Sequence, residues 1–146
     1  MKSSIRKIMA ADKPIIMEMM RVFYASPAVH TNGSEEIFSA DIDNCINENP
    51  YLEGYVIENS LGIQGYSMVA KSFSTEFGKP CIWIEDLYIK NEYRGQGLGK
   101  ALISYVLSQY QNCIFRLEAE EDNLAAINLY KQMGFNTALP YIELKK

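Results

Sequence analysis

The amino-acid sequence predicts an α/β domain built on one mixed, mostly antiparallel sheet flanked by helices. Two observations carry this. Helical apolar spacing in the first third gives way to three β-rich runs, and a glycine-rich turn then joins the last of those runs to a helix. With 146 residues and no internal repeat, low-complexity tract or linker, residues 1–146 read as a single domain. A chain of this size buries roughly two-thirds of its unfolded surface.

Ser3 to Ile8 reads as a first strand. Asp12 is the expected N-cap of a helix that carries Pro14 in its first turn and runs to about Tyr24. Its Ile15, Ile16, Met19, Met20 and Phe23 recur at helical spacing, and Ser26-Pro27 breaks it. Ser34 followed by Glu35-Glu36 opens a second helix, with Ile37, Phe38, Ile42 and Ile46 ahead of Pro50. Tyr51 to Glu58 and Gly62 to Ser72 are β-rich and joined as a hairpin around Asn59-Ser60-Leu61-Gly62. A polar turn near Gly78-Lys79-Pro80 leads to a central strand over Cys81 to Ile89. A helix with Leu98, Leu102, Tyr105 and Val106 on one face comes next, and then a strand from Cys113 to Glu118. Asn123 to Met133 forms a short helix closed by Gly134, and Leu139 to Leu144 makes a last strand.

Composition narrows the function. Apolar residues are 48% and charged residues 22%, enough for a core without metal or disulfide support and against disorder. No apolar run approaches the ~20 residues that span a bilayer, so no membrane partner is expected. Met1 to Ala11 holds three basic residues but no continuous apolar stretch of signal-peptide length, so a cytoplasmic location is expected. Cys45, Cys81 and Cys113 are odd in number and widely spaced, matching neither a disulfide framework nor a zinc site, and read as buried small hydrophobes. His30 is the single histidine and there is no G-x-S-x-G, which argues against a serine-hydrolase triad. Net charge is −4, and Val22 to Ala70 contains no Lys or Arg while carrying Glu35, Glu36, Asp41, Asp43, Glu48, Glu53 and Glu58. Such a surface repels nucleic acid. It is either a solvated face or a field that draws in a cationic small molecule.

The informative segment runs from Leu87 through Lys100. Gly95, Gly97 and Gly99, alternating between a strand and a helix, let backbone N–H groups approach a ligand closely, and the helix dipole points its positive end to the same place. This is an anion cradle suited to phosphate or pyrophosphate, with Lys100 and Arg94 adding charge. A Rossmann fingerprint needs glycine at position 100, where Lys100 stands. A Walker loop needs glycine at 94 and Ser or Thr at 101, where Arg94 and Ala101 stand.

Arg94-Gly95-Gln96-Gly97-Leu98-Gly99 resembles the R/Q-x-x-G-x-G/A signature of the GNAT superfamily of N-acetyltransferases. Asn123-Leu124-Ala125-Ala126-Ile127-Asn128-Leu129-Tyr130-Lys131-Gln132-Met133-Gly134-Phe135 is similar to that family's N-x-x-A-x-x-x-Y-x-x-x-G-F segment. The likeness covers Trp83 to Phe135; the first half of the chain matches only in its order of elements. It implies a sheet whose fourth and fifth strands splay apart to admit acetyl-CoA. Backbone groups of Leu87, Tyr88 and Ile89 would pair with the pantetheine arm, the N–H groups of Gly95 to Lys100 would hold the pyrophosphate, and Asn123 would fix the arm. Tyr130 would protonate the departing thiolate. In a continuous helix Asn123 and Tyr130 would point only ~20° apart and lie roughly 10.5 Å apart along the axis, so one face reaches two points of an extended cofactor.

Acetylation needs a neutral amine, so some group must accept a proton, directly or through water. Glu85 and Asp86 resemble the acidic pair of polyamine acetyltransferases, whereas Glu118 matches the glutamate of ribosomal-protein N-terminal acetyltransferases; Glu85 is preferred. No cysteine lies in the motifs, which favours direct transfer over an acyl-enzyme. The expected acceptor is a small cationic amine (a polyamine, amino sugar or amino-acid-like amine), with Tyr24 and Asp86 among its contacts. Protein N-termini or lysines are the alternative acceptors, and a non-catalytic acyl-CoA-binding module is the reading from another class. A homodimer is expected by family habit, and no metal is called for.

Overall fold

A computed structural model describes residues 2–29, 33–137 and 142–146. Among them five strands form one sheet in sequential order: β1 Ser4–Lys7, β2 Leu52–Asn59, β3 Gly62–Ser74, β4 Lys79–Ile89 and β5 Ile114–Leu117. Neighbours from β1 to β4 are antiparallel, whereas β5 lies parallel to β4. Helices α1 (Lys13–Tyr24) and α2 (Glu35–Ile46) pack on one face, and α3 (Leu98–Ser108) and α4 (Leu124–Gln132) on the other. The predicted last strand falls partly on residues 139–141, outside the described residues, as does His30; residues 142–146 carry no strand.

Alternation along β2 divides the core in two. Val56 joins Ile16, Met20, Phe38, Ile42 and Tyr66 beneath α1 and α2, while Tyr55 and Ile57 join Val69, Ile84, Leu102, Ile103 and Val106 beneath α3. The period of two breaks in β4. Register passes from Met68↔Asp86 to Val69↔Ile84, leaving Glu85 as an extra residue. Ile82 and Ile84 face α3 ahead of this bulge; Leu87 and Ile89 do so after it, and Tyr88 turns to the α1/α2 side.

Helix starts follow their local chemistry in one case and depart from it in another. The Ile37 N–H donates to Ser34 Oγ at 3.2 Å, so Ser34 caps α2 as expected. Asp12 does not cap α1 with its side chain. A 3₁₀ turn over Ala10–Asp12 precedes the helix, and the buried carboxylate accepts from Arg6 (2.8 and 3.0 Å) and from the Met9 N–H (2.8 Å). A guanidinium partner outcompetes the neutral N–H groups of the helix start. Of the cysteines, all free, only Cys81 is fully buried; Cys45 and Cys113 are half-buried.

Away from the glycine loop, Glu53 of β2 ties three strands to the end of α3. It accepts from Tyr55 Oη (2.7 Å), Lys71 Nζ (3.1 Å) and the Tyr110 hydroxyl, with Lys7 Nζ at 3.5 Å. Burial pushes its carboxyl upward, but the bonds from Tyr110, Tyr55 and Lys71 outweigh that and hold it at about 2.

Candidate active site

After β4 ends at Ile89, a 3₁₀ turn over Asn91–Tyr93 leads into the glycine loop. Arg94 folds back over the strand end: its Nε donates to the Ile89 carbonyl at 2.9 Å and its guanidinium lies 5.5 Å from the Tyr88 ring centroid. Gly95 and Gly97 have φ of 76° and 77°, the left-handed region that side-chain-bearing residues avoid. Among the described residues, the backbone N–H groups of residues 95–100 donate to no acceptor; the first bond of the helix start is from Ala101 to Gly97. Gly99 differs from the other two. It sits inside α3, and a Cβ there would meet Leu129 and Ile89 only at ordinary contact distances of 3.6 and 3.9 Å. Gln96 and Lys100 are exposed beside the loop, and Leu98 is half-buried.

Ile84↔Leu117 is the last paired position between β4 and β5. Beyond it β4 stays bonded to β3 as far as Gly65↔Ile89, while β5 ends, so the other edge of residues 85–89 has no strand partner among the described residues. The parted strands lead to the glycine loop. Glu85 and Glu118 are the first residues past the parting on each side, and both are exposed. The Glu85 carboxyl is raised, first by partial desolvation and then by the charges of Glu118, Asp41 and Glu143.

Tyr130 of α4 is half-buried against the α3-side core and packs edge-on to Phe135, centroids 6.1 Å apart. Burial raises its phenol, and its hydroxyl has no hydrogen-bond partner among the described residues. Asn123 stands one residue outside α4 as its N-cap, with φ −84° and ψ 69°, and its Oδ1 accepts from the Ala126 N–H at 3.4 Å. The continuous-helix geometry expected for Asn123 and Tyr130 therefore does not hold. The cap conformation, not the 100° helical step, sets the direction of the asparagine.

Glu85 and Asp86 go to different environments. Asp86 is 3% exposed, accepting from Tyr24 Oη and Tyr66 Oη at 2.8 Å each, while its own carbonyl accepts from Ser67 Oγ. Asp86 thus anchors two tyrosines inside the α1/α2 face instead of lining an open surface. Burial is the largest influence on its carboxyl and, with Asp41 and Glu85, lifts it to about 6 against the lowering effect of the two hydroxyls. Two residues of this cluster were not singled out by sequence. Tyr66 falls there only within the β-rich run Gly62 to Ser72, and Asp41 is one more member of the acidic stretch. Asp41 is half-buried with no hydrogen bond or ion pair among the described residues, and desolvation raises its carboxyl.

A split sheet whose open strand runs into a loop of free N–H groups at a helix start defines a protein that binds an extended, phosphate-bearing cofactor. Two left-handed glycines, with nothing within 4 Å of where a Cβ would stand, leave that loop open to a pyrophosphate. The chain belongs to the acetyltransferase (GNAT) family, which it matches over residues 16–135, and it is an acetyl-CoA-dependent N-acetyltransferase. It is 32% identical over 143 residues to the thialysine N-epsilon-acetyltransferase of Sus scrofa, covering 89% of this chain and 82% of the relative. It is 36% identical over 58 residues to the spermine/spermidine N(1)-acetyltransferase of Bacillus subtilis, covering 37% and 38%. The fold superimposes on a possible acetyltransferase from Clostridium difficile 630 with a TM-score of 0.83 at 16% identity, covering 99% and 97% of the two chains. Among the described residues no group of three His, Cys, Asp or Glu side chains could hold a metal, and no helix is long and apolar enough to cross a membrane.

Proposed function

We propose that the protein acetylates a primary amine of a small cationic molecule carrying a second charged group, such as a diamine, polyamine or basic amino acid. The observation that carries this is the convergence of carboxylates where β4 and β5 part: Glu85 and Glu118 flank the opening, and Asp41 and Glu143 lie close enough to raise Glu85. A negative field of this kind draws in an ammonium group. The names of the pig and B. subtilis relatives, acting on thialysine and on spermine or spermidine, support the same class.

Bound acetyl-CoA supplies an acetyl group activated as a thioester. The edge of Leu87 to Ile89 that lacks a strand partner would pair with its pantetheine arm, the N–H groups of Gly95 to Lys100 would receive its pyrophosphate, and Asn123 would fix the arm from the start of α4. Glu85 takes a proton from the acceptor ammonium, directly or through one water, in keeping with its raised carboxyl. A backbone N–H near Leu87 would stabilise the charge that develops on the thioester carbonyl oxygen. Tyr130, a phenol held neutral by burial, gives a proton to the leaving sulfur. Transfer is direct.

The test is release of CoA thiol from acetyl-CoA in the presence of polyamines, amino sugars, basic and neutral amino acids, and short peptides. Turnover confined to cationic amines and weakened by salt is the expected result. Equal turnover of neutral and cationic amines of similar size overturns the acceptor assignment, and turnover confined to peptides moves the acceptor to proteins.

A further inference from the structure

An acceptor that arrives as an ammonium sheds two protons on becoming an amide. One must go before its nitrogen can attack, and the second goes as the C–N bond forms and the C–S bond breaks. Glu85 accounts for the first. Tyr130 supplies a different proton, the one the sulfur takes up, so the second proton of the nitrogen still needs a receiver.

Asp86 is a buried carboxylate that the reaction just described leaves unused, and unlike Asp12 it has no guanidinium partner among the described residues. Both of its carboxylate oxygens are bound by neutral hydroxyls, from α1 and from β3, and among the described residues no cation pairs with it. The bulge at Glu85 turns it inward, one residue along the strand from the proposed base. Tyr24 is half-exposed at the end of α1. It lines an open cavity of about 390 Å³ with Arg21, Gly33 and Phe38, and its hydroxyl reaches from that wall to Asp86 Oδ1. A hydroxyl that donates to a carboxylate keeps lone pairs free to accept a proton from elsewhere.

We propose that Tyr24 and Asp86 form a proton-receiving pair: Tyr24 Oη takes the second proton of the acceptor nitrogen while its own hydroxyl proton passes to Asp86 Oδ1. The pair rests on the amine-acetylation reading above. The nitrogen loses two protons, to Glu85 and to the pair, and the sulfur gains one from Tyr130. Return of protons to Tyr130 and to solvent leaves a net release of one. No oxidant or further reactant is involved.

The groups facing Asp86 are Tyr24 of α1, Asp41 and Cys45 of α2, Tyr66 of β3 and Glu85 of β4. Burial, Asp41 and Glu85 raise the carboxyl to about 6, and the two tyrosine hydroxyls oppose them. The Cys45 thiol, pushed by burial to about 12, stays neutral throughout. Asp86 is therefore ionised and able to receive a proton above about pH 6, and it is blocked below.

The experiment measures kcat against pH by thiol release with a cationic amine for wild type, Tyr24→Phe, Asp86→Asn, the double variant and Tyr66→Phe. Tyr24→Phe and Asp86→Asn are each expected to lower kcat by about tenfold or more at pH 8, with the double variant no slower than the slower single and KM for acetyl-CoA unchanged. Tyr66→Phe removes a donor that lowers Asp86, so the acid-side fall in kcat moves to higher pH. A Tyr24→Phe variant within about twofold of wild type, losses that multiply in the double variant, or an unmoved acid limb in Tyr66→Phe overturns the pair. If Asp86→Asn fails to fold, the two Tyr→Phe variants decide, because they keep their rings. A wild type that releases no thiol with any amine defeats the acceptor reading itself and this pair with it. An active wild type with an unaffected Tyr24→Phe defeats the pair alone.

Discussion

Ile84 and Leu117 are the last residues at which β4 and β5 are paired, and the next residue of β4, Glu85, is the one its bulge leaves unmatched on β3. Loss of a partner on one edge and a local kink on the other coincide at a single carboxylate. A bulge bends its strand and re-aims the side chains that follow. Here it leaves Glu85 at the mouth of the opening and sends Asp86 into the core. Glu85→Gln is isosteric and removes only the proton acceptor. It is expected to lower kcat about tenfold or more at pH 8 with the affinity for CoA unchanged, as read by thiol release and by calorimetric titration. Full retention of kcat excludes Glu85 as the base.

Tyr130 keeps its ring packing in a Phe variant, because its contacts in the core come from the ring and its hydroxyl bonds to nothing among the described residues. Tyr130→Phe should leave the melting temperature within about 2 °C and lower kcat by roughly 10²-fold. An unchanged rate removes Tyr130 from the reaction.

The two kinds of glycine in the loop make opposite predictions. Gly97→Ala forces a Cβ into a left-handed conformation at φ 77° and should destabilise the protein by about 1–2 kcal/mol. Gly99→Ala adds a Cβ to a helix where contacts are ordinary, and should stabilise by about 0.5–1 kcal/mol. Thermal unfolding without ligand separates the two, and equal effects would mean that backbone conformation is not the difference between them.

Glu53 makes a statement about acid stability. Its carboxyl stands at about 2 in the folded protein, below its ordinary value, so it contributes stability at neutral pH that is lost as pH falls from about 4.5 toward 2. The amount is about 2–3 kcal/mol, scaled from that shift. Glu53→Gln should lower the melting temperature at pH 7 by several degrees and flatten its decline below pH 4.5. A variant with the same acid profile as wild type would show that Glu53 does not carry the effect.

The glycine loop and the Ser34 cap were legible because each depends on residues within one turn of one another, and the family membership because two such local motifs recur at the family's separation. Left-handed glycines and a serine ahead of two glutamates impose their geometry locally, whatever the rest of the chain does. Asp12 shows where that logic stops. Its cap pattern is sound, yet Arg6 reaches it across a turn and takes the carboxylate.

The sequence by itself determined the class of fold, the glycine loop and the tyrosine on the last helix. Only the tertiary structure decided which of two adjacent carboxylates faces solvent. It also decided that Tyr24, 62 residues away from Asp86, bonds to it, and that Tyr66 closes the other side. The reason is physical. A strand's alternation assigns faces only while its register holds, and one extra residue at Glu85, visible only against β3, reverses every assignment beyond it.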